Sequence, residues 1–303
     1  MTRRGTEFRL MNQQSAGDRL PRPESPRIRR FRIGLAKAIP RFPNDRKSLQ
    51  HLEQKNLRDV LIDFVNWRSR YVGVRQRNVM VYSAADTDLW WTSLTAEINL
   101  FLEKVRHGED LTPHLSVKPH TRGFTPAALA RGASSEDKWL DKDFALTAHG
   151  FHHFHIGVSF ESPGQVKQSD DLLFAHVTRD SFTVIGVFNH SVFDCSSAEH
   201  HRLRVLHDQY ASRNVPRGCV VIGTSIATSG HSMHVVRYAQ RCARTIFDVD
   251  PKLDDHDYIE RLYEMAGRAA PDKLKLAWGF DHLDLGVADM RSSVLFALTR
   301  AWN

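Results

Sequence analysis

Histidines set into apolar, strand-like runs carry the chemistry on offer in this sequence. His153 and His155 alternate with apolar residues in Phe151-His152-His153-Phe154-His155-Ile156-Gly157. His176 sits in Asp171-Leu172-Leu173-Phe174-Ala175-His176-Val177, and His190 ends Phe182-Thr183-Val184-Ile185-Gly186-Val187-Phe188-Asn189-His190. Nine of the seventeen histidines lie between His149 and His207. Imidazole titrates near neutral pH, so a pair of them can serve as base and acid in one reaction. Metal-independent RNA cleavage needs such a pair, one to take the 2′-hydroxyl proton and one to protonate the leaving 5′-oxygen. His153 and His155 are the acid–base candidates, with His190 and His176 beside them. Lys167 and Arg179 flank the hairpin and are the candidates for offsetting phosphate charge. This chemistry calls for no cofactor. A second reading makes His153, His155 and His190 ligands of a metal, with Glu161 or Asp194 as the acid. His149, His152, His200 and His201 read as structural or solvated.

Strands must position these groups. Alternation places Phe154, Ile156, Val158 and Phe160 on one face, and His153 and His155 on an outer face about 7 Å apart. Arg179-Asp180-Ser181 is a polar turn between two apolar runs, which predicts a hairpin. Helical spacing predicts helices over about 52–70, 86–106, 197–213, 231–247, 255–268 and 293–302, with short strands at 79–82 and 218–223. The fold class that follows is α+β, a small antiparallel sheet flanked by helices behind a disordered basic N-terminal arm. Its segments are the arm, 1–48; a mainly helical stretch, 49–134; the histidine-rich sheet module, 135–214; and a C-terminal α/β segment, 215–303, on the same core.

The net charge of +7 is concentrated in that arm, where residues 1–47 hold eleven Arg and two Lys against four acidic residues. Prolines at positions 21, 23, 26, 40 and 43 interrupt it, and the remaining chain is close to neutral. A basic arm favours an anionic partner, here RNA, and a non-enzymatic RNA- or protein-binding role is the third reading. Cys195, Cys219 and Cys242 form no CxxC pair, which fits a reducing compartment and no thiolate zinc site. With no apolar run of membrane-spanning length and no signal-peptide core, the expectation is a cytoplasmic protein without a membrane partner.

The order of runs from Phe151 to Asp194 resembles the sheet of RelE-type and barnase-like toxin endoribonucleases. The residues that carry the resemblance are His153-Phe154-His155-Ile156-Gly157, Leu172 to Val177, Val184 to His190 and Phe193. Asp171-Leu172-Leu173 stands where that group has an arginine, and Phe193 stands in place of its tyrosine. The resemblance therefore implies an RNA-cleaving toxin, with an antitoxin or other protein as its partner, whose histidines fill roles held by basic and phenolic groups elsewhere.

Overall fold

The computed structural model describes residues 24–302, except 84, 86–88, 127–140, 157–159, 163–164, 167–169, 217 and 220–224. Helix α1 (Pro26–Ala38) starts with Ser25 as its cap, accepting from the Ile28 N–H, and with proline in its first turn. Ile28, Phe31, Leu35 and Ala36 form its buried stripe, while Arg29, Arg30 and Lys37 face outward. The expectation of disorder through residue 48 is therefore corrected from residue 26 onward. A helical apolar stripe lies hidden among the arginines, and it has a core to pack on. Asp45 and Asn56 cap α2 (Arg46–Gln54) and α3 (Leu57–Arg68) in the same way.

A four-stranded sheet follows, in the order β1-β6-β5-β2, from β1 (Asn78–Val81), β2 (His152–His155), β5 (Asp171–Val177) and β6 (Ser181–Asn189). The β2–β5 and β5–β6 pairs are antiparallel, as the hairpin signal predicts, and β1 adds in parallel to β6. Phe154, Ile156, Leu173, Ala175, Phe182 and Val184 bury one face against α5 (Thr95–His107), which follows the short α4 (Leu89–Ser93). Phe151, Leu172, Phe174, Ile185 and Phe188 bury the other against α7 (Ala198–Ser212). A two-stranded β3–β4 pair (Phe160–Ser162, Gln165–Val166) and the single turn α6 (Lys118–Thr121) complete this half.

The C-terminal segment forms its own core with the N-terminal helices instead of extending the histidine sheet. Helices α8 (Met233–Val249) and α9 (His256–Met265) pack with α1, α2 and α3 on the meander β7 (Leu276–Asp281), β8 (Asp284–Asp289) and β9 (Val294–Thr299). Ser232 caps α8, accepting from the Val235 N–H, and the strand expected at 218–223 lies largely outside the described residues. The helix expected over 293–302 is instead β9. Its short run, offered the open edge of β8, pairs there, and tertiary context overrides local pattern. Close approach makes Gly286 obligatory on β8, because a Cβ there would meet the Phe296 carbonyl oxygen at 2.4 Å.

Two buried aspartates tie this core together. Asp250 accepts from Ser25 at 2.6 Å, from the Trp278 indole at 2.7 Å and from Arg27 at 3.2 Å, which fastens α1 to the meander. Asp289 is fully buried and accepts from the N–H groups of Lys275 and Arg291 and the hydroxyls of Tyr263 and Ser292. Burial alone would raise its pKa, but these four donors hold it well below the ordinary carboxylate value. A depressed folded-state pKa contributes stability above the unfolded value of about 3.9, and that stability is lost as pH falls through the folded value. Asp289→Ala should destabilise the fold by about 3 kcal/mol or more, since several buried donors lose their partner. Urea denaturation at neutral pH measures the loss.

Candidate active site

Chain alternation brings His153 and His155 to one face of β2, as expected, but that face is not open. His155 is only 3% exposed, and the His153 side chain 12%. The segment before β2, the turn after β6 and the loop holding Lys118 fold over the strand and leave a cleft of about 590 Å³. His153, His155 and His190 line it together with Arg70, Lys118, Lys142 and Asp143.

Asp143 is the partner of His153, with Oδ2 3.4 Å from Nδ1. It precedes a five-residue π-helical turn (Ala145–His149) that ends at Gly150 in the left-handed region, φ 73°. Its Oδ1 accepts from the Leu146 N–H at 3.1 Å, which orients the carboxylate at the start of the turn. Burial would raise the Asp143 pKa, yet the His153 imidazole, the Arg70 guanidinium and that N–H bring it below the ordinary value. Burial lowers the His153 pKa and Asp143 acts against it, so the imidazole is neutral near pH 7 with a carboxylate on one nitrogen. His153 also packs against Phe174 and meets the edge of Phe193 at ring distances of 5.7 and 5.3 Å.

His190 opens the 3₁₀ turn (His190–Phe193) beyond β6, which Asn189 caps by accepting from the Ser191 N–H. Its side chain is 47% exposed, Nδ1 lies 3.3 Å from the Asp170 carbonyl, and its ring lies 5.5 Å from that of His155. Tethers to α3 hold the cationic side of the cleft. Trp67 donates to the Pro119 carbonyl at 2.9 Å and Arg70 to the Arg122 carbonyl at 2.7 Å. Lys118 is exposed at the mouth, and Lys142 pairs with Asp141 at 2.9 Å. Two exposed aromatics, Phe144 and Phe193, stand on the rim.

Other expectations fall elsewhere. His176 lies away from the cleft, with Nδ1 3.1 Å from the Tyr210 hydroxyl. Arg179 does not line the cleft. It is committed to Asp284 at 2.7 Å, which clamps the sheet hairpin to the C-terminal meander. Lys167 and the Glu161 side chain lie outside the described residues. Asp194 is turned to Ser196, accepting from its N–H and hydroxyl. Among the described residues, no three histidine, cysteine or carboxylate groups converge at metal-binding distance, so the His153, His155 and His190 ligand set is not assembled. Sequence reasoning missed Arg70, Lys118, Lys142 and Asp143. The one available signal was Asp141-Lys142-Asp143, a charged triplet just ahead of the histidine run.

His152, set aside as structural, is buried with Nε2 donating to the Ser69 carbonyl at 2.9 Å. Burial lowers its pKa to about 4, and burial followed by the nearby His207 does the same to His149. Both are neutral in the folded state, while the unfolded chain takes up protons below about pH 6.5. The unfolded state then binds more protons, so stability falls as pH drops from about 6.5 towards 4. His149→Gln should flatten that loss, as read by urea midpoints across the acid range.

Among the described residues, no helix is long and apolar enough to cross a membrane. Comparison with protein-family models, curated proteins and solved structures finds no match for this chain.

Proposed function

We propose that the cleft cleaves single-stranded RNA without a metal, with His153 as general base and His190 as general acid. The observation that carries this reading is the Asp143–His153 pair opposite an exposed imidazole, in a cleft with cations and aromatics at its mouth. Asp143, its Oδ2 3.4 Å from Nδ1, sets a negative charge beside the ring that favours the proton on Nδ1, so the other nitrogen takes the 2′-hydroxyl proton. The 2′-oxygen attacks the adjacent phosphorus, and the P–O5′ bond breaks as His190 hands its proton to the leaving oxygen. Lys118 and Arg70 offset the charge that builds on the phosphoryl oxygens. Phe144 and Phe193 offer stacking faces to flanking bases, which suits an unpaired strand. The acid role passes from His155 to His190 because His155 is almost wholly enclosed.

The test is incubation of the purified chain with single-stranded RNA in a chelating buffer. The expected products end in a 2′,3′-cyclic phosphate, and a 2′-O-methyl group at the cut site should block the reaction because the nucleophile is gone. Absence of cleavage, or cleavage of the methylated strand, would remove the assignment.

A further inference from the structure

A second cavity, of about 240 Å³, shares Arg70, Asp143 and His152 with the cleft and lies beside it. We propose that it is a nucleobase subsite, an inference that rests on the RNA reading of the neighbouring cleft. The cavity lies below the roughly 300–1,000 Å³ typical of drug-sized ligands, so it suits a single planar ring system. His152, His176, His234 and Trp302 supply aromatic lining, Val177 and Val235 an apolar floor. The His176 ring is fixed by the Tyr210 hydroxyl, 3.1 Å from its Nδ1. Trp302 stands edge-on to Tyr238 at 5.3 Å and tilted to His234 at 6.4 Å, with 37% of its surface open. An indole held at its edge and open to solvent is the geometry on which a base stacks.

The surroundings name the ligand class more closely. From His234, helix α8 runs on through Arg237, Arg241 and Arg244, all exposed. Arg241 donates to the Arg300 carbonyl at 2.9 Å, which ties that helix to the strand leading to Trp302. A cationic helix face continuing from a small aromatic cavity fits a base attached to a phosphate chain. The same cavity chemistry would accept the base of a free mononucleotide.

Calorimetric titration of the full chain distinguishes these sources. The probes are a 2′-O-methyl dinucleotide, nucleoside 5′-monophosphates and ribose 5-phosphate. Base-bearing probes should bind about tenfold or more tightly than ribose 5-phosphate. Trp302→Ala should abolish that difference, His234→Ala should reduce it, and Trp302→Phe, which keeps a ring, should retain most of it. A dinucleotide that outbinds the monophosphates identifies a base within a strand, and equal binding identifies a free nucleotide; both support the subsite. Equal binding of ribose 5-phosphate, or an unchanged preference in both Trp302→Ala and His234→Ala, overturns it. If wild-type chain cuts no RNA but the Trp302-dependent preference persists, the subsite stands and the cleavage reading falls. Cleavage without that preference has the reverse meaning.

Discussion

His153→Ala is expected to lower RNA cleavage by about 10²–10⁴-fold, the usual contribution of one acid–base group. Its ring stacks on Phe174 and meets the edge of Phe193 at the cleft wall, while other residues form the two apolar cores of the sheet, so the fold should survive its removal. Asp143→Asn probes the same pair differently. The amide keeps the shape but removes the charge that raises the His153 pKa against burial. Two effects should follow together: a slower reaction, and an acid limb of the pH–rate profile displaced to lower pH. The limb reports protonation of His153, and in wild type it should lie below about 6.5, the unperturbed imidazole value. A rate loss with an unmoved limb would assign Asp143 a purely structural part. His190→Ala should slow the reaction by a comparable factor, since the leaving 5′-oxygen loses its proton donor. Initial rates across the pH range, measured for the wild type and the three variants, separate these roles.

Removing residues 24–38 should leave the chain unfolded at room temperature. Burial of Ile28, Phe31 and Leu35 contributes about 1.5–3 kcal/mol each, against a total stability of about 5–15 kcal/mol for a typical domain. The single change Phe31→Ala should cost about 3–5 kcal/mol, because its ring packs on Phe280, which in turn stacks on Phe64 at 5.0 Å. Circular dichroism and urea denaturation measure both. A truncated chain that melts like wild type would show that α1 is not part of the core, against the burial of four of its side chains.

The contrast between α1 and the histidine sheet explains what could be read from the sequence. Strand alternation is a local signal, so β5, β6 and their hairpin turn were legible, as was the placing of His153, His155 and His190 around one strand end. The Ile28, Phe31, Leu35 and Ala36 stripe was equally local, but arginines and prolines around it pointed to disorder, and composition outweighed periodicity. Arg70, Lys118 and Asp143 could not be found in this way. They come from just past α3, a single helical turn and the residues leading into a π-helical turn, and three-dimensional tethers bring those segments to β2: Trp67 and Arg70 on the carbonyls of Pro119 and Arg122, and Asn66 on that of Asp141. Arg179 shows the opposite error: proximity in sequence to a histidine strand, but an ion pair with Asp284 in the fold.

Among the described residues, strand β2 has four residues and a single neighbour, β5, whereas β5 and β6 are each paired on both sides. Its other edge is held by side chains, the His155 carbonyl 2.9 Å from His114 Nδ1 and the His152 imidazole on the Ser69 carbonyl. Strands held so lightly open by local fluctuation well before the whole domain unfolds. The consequence is a difference in lifetime between scaffold and chemistry. Amide protons of His153 and His155 should exchange with solvent faster than those of Leu173 and Val187, and mild urea should silence the Asp143–His153 pair while the inner strands remain protected.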